Sequence, residues 1–576
     1  MSQTNSATAS VGRFRWVVCA LLLAATVISY SDRQVLGLLH SKLTKVGHWS
    51  ERVRGNIVVA FPAAGAAGTH RLSATWPWVP DQGDGTFRNP ILFADYSDPD
   101  VIRHGDDFYL VASSFNCTPG LPILHSRDLV NWKIINHAVK NLPHPRFAEV
   151  QHGCGIWAPA IRFHAGKFWI FFPMPDEGIY VTTAEDPAGQ WSEPHLLEAG
   201  KGLIDPCPLW DDDGQAYLVH AYARSRAGIK HMLRVRPMAP DGSRLIGDGQ
   251  IVFHDPDRHP TLEGPKFYKR NGYYYILAPA GGVATGWQVA LRSRDVYGPY
   301  EDKIILAQGN TEINGPHQGA LVETKSGESW FVHFQDRGAY GRIVHLQPVK
   351  WQDDWPVMGN LGEPVLCAEK PDTGARQPLA VPQTADEFDS AALGLQWQWP
   401  ANQDPKWYSL TARPGWLRLV SLRVPDVWRA PNLLLQKFPA PEFTVTAKLE
   451  FSKLAVGERA GLIVMGMDYS AVAVERTPTG LRLIKVACQD AEHAGKETVE
   501  DEVAHLGDSV WLRIKVSPGA VCDFSYSRDG RKFLTAGKSF TARAGKWIGA
   551  KVGLFCLAAS PAKTSGHADF DWFRFE

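Results

Sequence analysis

The chain has 576 residues, too many for one ordinary domain and suited to two or three. Hydrophobic residues make up 44% and charged residues 21%, a balance that excludes a disordered chain. Because 60 basic residues cancel 60 acidic ones, no overall field favours a polyanion, and we expect no nucleic-acid partner. The 21 Trp, 16 Tyr and 26 Phe favour β structure and also suit stacking against sugar rings.

The eight cysteines give no sign of a metal or redox motif. No pair has the Cys-x-x-Cys spacing of a zinc site or a thioredoxin-type site. An even count permits disulfides, but the spacing suggests none. We therefore expect most of these cysteines to be buried free thiols.

The N-terminal segment is apolar and basic. Arg13 and Arg15 precede an apolar run over residues 16–30, which residues 35–39 extend beyond a polar break. A basic stretch before an apolar run is typical of a signal peptide, although no clear cleavage site follows it. Residues 17–39 and 55–68 also resemble the first helix, and the start of the second, of a major facilitator transporter of the hexuronate type.

So short a fragment cannot form a transport path. Residues 1–68 are therefore interpreted as a gene-fusion or gene-model remnant or, if genuine, as a short helical hydrophobic segment that attaches the protein to the membrane through residues 16–39. The transporter resemblance would then place the rest of the chain outside the cytoplasm, in the periplasm or anchored to the inner membrane. Residues 69–88 are rich in Gly, Pro, Thr and Trp and are expected to form a linker.

A repeated hairpin follows the linker. The clearest copy spans residues 262–277, where two short strands flank an Asn271-Gly272 turn, a strong hairpin signal. Similar strands follow a polar turn at four other places, with aromatic residues at positions 109, 169, 217, 275 and 330. A period of roughly 50 residues built from short strands is typical of a β-propeller. We predict five blades rather than a jelly roll, which would not explain the repeat.

Chemistry-bearing residues precede these aromatic positions by 11 to 13 residues. The aligned residues, one per repeat, are Asp98, Trp157, Asp205, Glu263 and His317. Equivalent positions in propeller blades are related by rotation about one axis, so we expect the five side chains to meet at one end of a central funnel. Four of the five are followed by proline, directly or one residue later, and proline suits a strand start or a bulge.

Three crowded carboxyl groups predict acid–base chemistry. Like charges raise the pKa of at least one of them. A protonated carboxyl beside an ionised carboxylate is the machinery of glycosidic bond hydrolysis. A single Asp-Pro would more simply be a turn, and carboxylates also suit a divalent metal. The match of three acids to repeat positions favours the hydrolytic interpretation, and no calcium-loop pattern is present.

Residues 89–360 resemble glycoside hydrolase family 43, which contains β-xylosidases and α-L-arabinofuranosidases on five-bladed propellers. The matching segments, in order, are 89–92, 97–99, 113–115, 125–132, 155–159, 204–206, 263–265, 341–342 and 346–351. The resemblance implies that Glu263 is the general acid, Asp98 the general base and Asp205 the residue that adjusts the pKa of the acid. It also implies cleavage of terminal xylosyl or arabinofuranosyl residues from plant cell-wall oligosaccharides, with inversion.

The same resemblance implies the sugar-binding residues. Phe115 and Trp157 would form apolar walls, and Arg342 would donate hydrogen bonds to sugar hydroxyls. His317 would lie near the axis, where some family members hold a water or an ion, so a structural Ca²⁺ or other ion there stays open, while no cofactor is required. The sequence departs from the family at Asp100, where many members carry Ser or Ala. We expect Asp100 to point outward, because Pro99 interrupts the strand alternation.

The C-terminal third has the pattern of an antiparallel β-sandwich. Residues 361–386 are rich in Pro and polar residues and are predicted to be a linker, and residues 387–576 show alternating strands. This part resembles the lectin-like accessory domain of many family members. A non-catalytic sugar-binding protein is the alternative to a hydrolase, and the oligomeric state is not predicted.

Overall fold

The structure is a computed structural model that describes residues 76–375, 377–504, 507–559, 564 and 566–576. The predicted helical segment, the transporter-like remnant 1–68 and the membrane attachment through residues 16–39 lie outside the described residues. Across the described part of the chain, no helix has the length and apolar character needed to cross a bilayer.

The all-β prediction is confirmed, with five antiparallel four-stranded sheets that form the blades of a propeller. A short strand, β1 (Thr86–Arg88), precedes them. The strands of blades one and two are β2 (Asp100–His104), β3 (Asp107–Val111), β4 (Gly120–Ser126), β5 (Lys133–Val139), β6 (Ala160–His164), β7 (Lys167–Met174), β8 (Gly178–Ala184) and β9 (His195–Ala199). Those of blade three are β10 (Leu203–Trp210), β11 (Ala216–Tyr222), β12 (Met232–Met238) and β13 (Gln250–His254).

Blades four and five complete the propeller. Their strands are β14 (Lys266–Arg270), β15 (Tyr273–Ala280), β16 (Trp287–Ser293), β17 (Glu301–Ala307), β18 (Gly319–Glu323), β19 (Ser329–Asp336), β20 (Arg342–Gln352) and β21 (Trp355–Met358). Each of the five repeated aromatic residues lies on the second strand of its blade. A further strand, β22 (Cys367–Glu369), pairs with β1.

The hairpin at residues 262–277, the clearest copy of the repeat, forms as its sequence predicts. Asn271 and Gly272 have φ values of 49° and 71°, and they join β14 to β15 with Arg270 opposite Tyr273. Two consecutive residues with positive φ are what a tight type I′ hairpin turn requires, which is why Asn-Gly is favoured there. The turn fixes the register of the blade and therefore the position of the residues that precede β14.

The first strands of neighbouring blades are linked by hydrogen bonds around the axis. In these bonds the Ile161 amide donates to Asp100, Arg162 to the Cys207 sulfur, the Phe267 amide to the Cys207 sulfur, the Leu321 amide to the Tyr268 hydroxyl, and Arg103 to the Glu323 carbonyl. Each bond joins one blade to the next, and together they go once around the ring.

Asp100 belongs to this ring, and the prediction that it points outward is wrong. Its side chain is fully buried, and Oδ2 lies 2.7 Å from Nη1 of Arg162 and 4.0 Å from Nζ of Lys266. A buried carboxylate needs a partner of opposite charge. Arg162 on the next blade provides it, and this contact could not be read from the local alternation of β2.

The C-terminal part is an antiparallel β-sandwich of two sheets, as predicted. One sheet contains β23 (Tyr408–Ser409), β24 (Leu417–Val420), β27 (Phe443–Glu450), β32 (Ser509–Ser517), β33 (Val521–Ser527), β34 (Leu534–Thr535), β35 (Phe540–Thr541) and β37 (His567–Phe575). The other contains β25 (Leu422–Val424), β26 (Leu434–Lys437), β28 (Glu458–Met465), β29 (Tyr469–Thr477), β30 (Gly480–Cys488), β31 (Thr498–Ala504) and β36 (Lys551–Ala559). One parallel pair, β25 with β36, is the exception to the antiparallel pairing.

Helices are short in the described part of the chain. Two α-helices span one turn each, α1 (Arg224–Ala227) and α2 (Gly282–Thr285). The 3₁₀ helices are Pro145–Ala148, Gly338–Tyr340, Pro405–Trp407 and Ala491–His493. Seven described cysteines are free thiols, and five of these are buried, as expected from their spacing.

The propeller and the sandwich belong to one compact unit, Ser73–Glu576. Thr118 and Trp399 exchange backbone hydrogen bonds of 2.8 and 2.7 Å across the junction. The Tyr340 hydroxyl donates to the Pro441 carbonyl at 2.7 Å and accepts from the Ala520 amide at 2.8 Å. These bonds fix the sandwich against the same face of the propeller that carries Tyr340 and its neighbour Arg342.

Candidate active site

The five aligned residues lie where the first strand of each blade begins. Asp98, Trp157, Glu263 and His317 come two or three residues before β2, β6, β14 and β18, and Asp205 lies near the start of β10. Asp98 lies within electrostatic range of the other three ionisable members, Asp205, Glu263 and His317. Asp98 raises the pKa values of both Asp205 and Glu263, and Arg342 lowers those of Glu263 and His317.

Asp98 is held by three donors. Its Oδ2 accepts hydrogen bonds from the hydroxyls of Ser97 at 2.7 Å and Ser113 at 2.6 Å, while Nη1 of Arg342 lies 3.1 Å from Oδ1. The residue has φ 54°, a left-handed conformation that Asp tolerates better than most side chains and that turns it away from the strand direction. Donors of this kind stabilise a charged carboxylate.

Asp205 is buried in a bulge of β10. The pairing with β11 shifts between Ile204 and Cys207, and Asp205 has φ 56°. Its Oδ2 accepts a 2.8 Å hydrogen bond from the Gly264 amide. Burial, and secondarily the charge of Asp98, raise the pKa of Asp205 to about 7, against the effect of the Gly264 bond. The bulge that proline predicted therefore exists here.

Glu263 is the most accessible of the three acids. Its side chain is 31% exposed, compared with 9% for Asp98. Desolvation is the main cause that raises the pKa of Glu263 to about 8, with Asp205 as the second cause and Arg342 opposing them. A carboxyl that keeps its proton near neutral pH and is open to the funnel can donate that proton to a bound molecule.

Gly264 connects Asp205 and Glu263: its amide bonds to the first, and the second precedes it in the chain. It has φ 62°, which a side chain would strain, and a Cβ there would lie 2.8 Å from the side chain of Gln318. In this conformation its amide points at Asp205 while Glu263 precedes it in the chain. The two carboxyl groups are therefore coupled, and together they retain a proton that neither would hold at its ordinary pKa.

Arg342 contacts Asp98. Its Nη1 lies 2.7 Å from the Ser97 hydroxyl as well as near Asp98, and its guanidinium lies over the Phe334 ring at 4.8 Å. Its backbone amide donates to Oδ1 of Asp95 at 2.9 Å, and Oδ2 of Asp95 accepts from the Gly549 amide of the sandwich at 2.9 Å. The sandwich thus helps to hold the residue that orients Asp98.

His317 is buried beside Glu263, with Nε2 3.6 Å from Oε1 of Glu263. Neither ring nitrogen has a hydrogen-bond partner, and burial lowers the pKa of His317 to about 3. Over the described residues, no group of three or more His, Cys, Asp or Glu side chains could hold a metal ion. One imidazole and one carboxyl do not match the oxygen-rich shell that Ca²⁺ prefers, so these residues do not fit the ion that the resemblance left open.

Aromatic side chains surround Trp157. Its ring centroid lies 6.2 Å from that of Phe115 and 6.1 Å from that of Trp547, which is 50% exposed. Phe115 is only 2% exposed and is held by backbone hydrogen bonds with Ile156. The guanidinium of Arg226 lies 5.1 Å from the Trp157 ring. This wall therefore combines propeller and sandwich residues.

Three residues of the site were not assigned a role from the sequence. Ser97 and Ser113 lie within matching motifs, but nothing in the sequence identifies their hydroxyls as donors to Asp98. Trp547 belongs to the sandwich, and no repeat or spacing connects it to the funnel. Its neighbour Gly549 bonds to Asp95, which is how the loop reaches the propeller.

Comparison with known proteins agrees with this architecture. Residues 87–356 match the model of glycosyl hydrolases family 43, and residues 385–576 match the beta xylosidase C-terminal concanavalin A-like domain. A putative beta-xylosidase of Xylanibacter ruminicola is 39% identical over 492 residues, which cover 83% of this chain and 87% of the relative. A non-reducing end alpha-L-arabinofuranosidase of Bacteroides ovatus is 30% identical, with 85% of this chain and 94% of the relative covered.

Solved structures show the same likeness. The crystal structure of xylan beta-1,4-xylosidase from Bacillus halodurans superimposes with a TM-score of 0.76 at 26% identity and covers 85% of this chain and 99% of that one. The two matching family models, the identity to relatives over most of their length, and the propeller with its three converging carboxyl groups lead to one conclusion. The chain belongs to glycosyl hydrolase family 43 and is an O-glycosyl hydrolase.

Proposed function

We propose that this hydrolase removes terminal xylosyl or arabinofuranosyl residues from plant cell-wall oligosaccharides and inverts the configuration at the anomeric carbon. In this proposal Glu263 is the general acid, Asp98 is the general base, and Asp205 adjusts the pKa of Glu263. One observation carries the assignment. Asp98 is surrounded by donors that favour its charge, whereas the pKa of the more accessible Glu263 is raised to about 8. Two carboxyl groups with opposite preferences are what acid–base hydrolysis of a glycoside needs.

The reaction follows from these preferences. Glu263 donates its proton to the glycosidic oxygen as the bond from that oxygen to the anomeric carbon breaks. Asp98 accepts a proton from a water molecule whose oxygen bonds to the anomeric carbon from the opposite face. The products are a free sugar of inverted configuration and the shortened oligosaccharide, and solvent returns the proton from Asp98 to Glu263. Burial, and secondarily the negative charge of Asp205, raise the pKa of Glu263 and so favour retention of its proton.

The pocket suits a single terminal sugar. Trp157 and Phe115 supply apolar ring surface, Arg342 supplies guanidinium donors beside Asp98, and neutral His317 lies behind Glu263. Asp100 and Lys266, which follow Asp98 and Glu263 along the first strands, are fully buried, and Oδ2 of Asp100 lies 2.7 Å from Nη1 of Arg162. Side chains packed in this way next to the acids suit a site that accepts a chain end, which supports exo action.

The test is hydrolysis of p-nitrophenyl β-D-xyloside and p-nitrophenyl α-L-arabinofuranoside by the full chain and by Glu263→Ala and Asp98→Ala. We expect Asp98→Ala to lose on the order of 10²–10⁴ in rate on these aryl glycosides, the usual contribution of general acid–base catalysis. Glu263→Ala should lose as much on xylobiose, whose leaving alcohol needs the proton. Proton NMR of p-nitrophenyl β-D-xyloside hydrolysis, in which the only sugar released is the cleaved one, should first show the α-anomer of xylose. A rate within about threefold of wild type in Asp98→Ala, or in Glu263→Ala with xylobiose, or β-xylose as the first product from the aryl xyloside, would contradict the assignment.

We also propose an extracytoplasmic location, supported by the apolar segment 16–39 of the sequence. Fractionation of cells that express the full chain tests this, and activity confined to the cytoplasm would contradict it.

A further inference from the structure

One wall of the funnel is basic. It is formed by residues 223–231, the segment that connects β11 to β12 and includes α1. The segment reads Ala-Arg-Ser-Arg-Ala-Gly-Ile-Lys-His and contains Arg224, Arg226 and Lys230 but no acid. The loops that connect the second and third strands of every blade lie at the same end of the propeller as the catalytic carboxyl groups, so these cations lie at the mouth of the site.

The acids next to this wall are already neutralised. Asp176 and Glu177 lie on the corresponding loop of blade two. Arg146 contacts both, at 3.2 and 2.7 Å, and Nε of Arg226 lies 3.3 Å from Oδ1 of Asp176. Two acids thus face two arginines, and no negative charge remains on that loop to balance Arg224 or Lys230.

Lys230 and Arg224 have no acidic partner. Nζ of Lys230 lies 3.3 Å from the Thr261 hydroxyl, and neither cation forms an ion pair with any residue that the structure describes. Arg224 is exposed and Lys230 is half-buried. Thr261 is two residues before Glu263, and the ammonium of Lys230 lowers the pKa of Glu263. An unpaired ammonium therefore lies within electrostatic range of the proposed acid.

Geometry relates this wall to one part of the substrate. Glu263 protonates the leaving oxygen, so side chains next to Glu263 lie beside the leaving sugar. Asp98, with Arg342, acts from the other face of the cleaved sugar. Arg226 lies over the Trp157 ring, so the basic wall extends from the aromatic wall to Glu263. A cation without a counter-ion beside a sugar subsite is suited to recognise an anionic group by charge-assisted hydrogen bonds.

We propose that Lys230, together with Arg224 of the same segment, forms a subsite for an anionic group on the leaving sugar, such as the carboxylate of a uronic acid or a sulfate ester. The inference rests on the proposed function, because it takes the sugar next to Glu263 to be the leaving group. Preferred substrates would then be oligosaccharides in which a terminal neutral pentose is linked to an acidic sugar.

The test uses three disaccharides that differ in one substituent. A β-xylosyl residue is linked to glucose, to glucuronic acid or to glucose 6-sulfate, and kcat/KM is measured for each. We expect the acidic substrates to exceed the neutral one by about tenfold at low salt, the usual size of a charge-assisted hydrogen bond. Because the wall is partly solvated, the advantage should shrink as salt rises from about 0.05 M to about 0.5 M. The two acidic arms distinguish a carboxylate from a sulfate.

Lys230→Gln should reduce the ratio of acidic to neutral kcat/KM by about fivefold or more. The matched control is Lys350→Gln, an exposed lysine on β20 outside the site, which should leave the ratio unchanged. A ratio near one in the wild type overturns the proposal. So does an equal loss on all three substrates in Lys230→Gln, which would mean that Lys230 acts only through Glu263.

Binding separates this inference from the proposed function. The isosteric Glu263→Gln variant is titrated calorimetrically with the same three disaccharides. Tighter binding of the acidic disaccharides supports the subsite even if the wild type fails to hydrolyse xylosides, a failure that would contradict only the proposed reaction. Equal binding of all three, together with normal hydrolysis of the aryl xyloside, would overturn the subsite and leave the proposed function intact.

Discussion

Replacement of Asp205 by asparagine tests how the site sets the protonation of its acid. Asn has nearly the same shape, and its side-chain oxygen can still accept the 2.8 Å hydrogen bond from Gly264. The substitution removes one negative charge from the neighbourhood of Glu263. That charge is the second cause, after burial, that raises the pKa of Glu263 to about 8. Burial is unchanged, so the pKa should fall but stay above the ordinary range for Glu.

The size of the shift follows from the proximity of the two acids. Gly264 is the residue after Glu263, and its amide donates directly to Asp205, so the two carboxyl groups are close neighbours in a partly desolvated site. A charge within about 4–6 Å in such surroundings shifts a carboxyl pKa by roughly 1–3 units. Because the first cause is burial and not Asp205, we expect the lower part of this range, a fall of about 1–2 units.

The assay is the pH dependence of kcat/KM, whose alkaline limb reports loss of the proton from the acid of the free enzyme. The limb should lie near pH 8 in the wild type and move to lower pH in Asp205→Asn. Asp106→Asn, an exposed acid paired with Lys325 outside the site, is the control and should leave the limb in place. A limb that is unmoved in Asp205→Asn, or moves to higher pH, would refute the reasoning.

Three further predictions concern stability and substrate contact. Asp100→Ala should reduce the free energy of unfolding, measured in urea, by about 3–5 kcal/mol, because the largely buried Arg162 and the fully buried Lys266 lose the carboxylate beside them. A change below about 1 kcal/mol would contradict this. The carboxyl of Glu263 has its pKa raised on folding, so wild type loses stability as pH rises from about 4.5 towards 8. Glu263→Gln lacks this loss, so its free energy of unfolding should exceed that of wild type by roughly 1–3 kcal/mol at pH 8 but not at pH 4. This figure is reduced to allow for the partial exposure of the side chain. Equal differences in the free energy of unfolding at both pH values would count against the prediction. Trp547→Ala should raise KM for xylobiose by about tenfold, with a smaller rise for an aryl xyloside, because Trp547 is an exposed ring beside Trp157; an unchanged KM for xylobiose would exclude contact with the second sugar.

Much of the scaffold can be predicted from the sequence because its signals are local. Asn271-Gly272 fixes a hairpin turn through the φ values of two residues, and the copies of that hairpin reveal the blades. The repeat also identifies the three acids, since position within a blade determines position around the axis. The strand alternation of the sandwich is equally local, as in β33 (Val521–Ser527), where buried and more exposed side chains alternate from Val521 to Tyr526.

The contacts that tune the site could not be predicted because they join distant parts of the chain. Arg342 lies 244 residues from Asp98, and neither residue's neighbours in sequence indicate that they pair. Trp547 reaches the funnel only because Gly549 of the sandwich bonds to Asp95 of the propeller. Asp100 was placed wrongly because its partner Arg162 comes from the next blade. Local pattern fixes strands and turns, whereas these contacts depend on how finished blades meet.

We propose above all that Glu263 supplies the proton to the leaving oxygen. The most direct test is how the loss of rate in Glu263→Ala depends on the leaving group of the substrate. The rate of the variant relative to wild type is measured for xylobiose, whose leaving alcohol needs the proton, and for 2,4-dinitrophenyl β-D-xyloside, whose leaving phenolate does not. We predict a loss of about 10²–10⁴ on xylobiose and less than about tenfold on the aryl xyloside. Equal losses on both substrates, or a xylobiose rate within about threefold of wild type, would contradict the account.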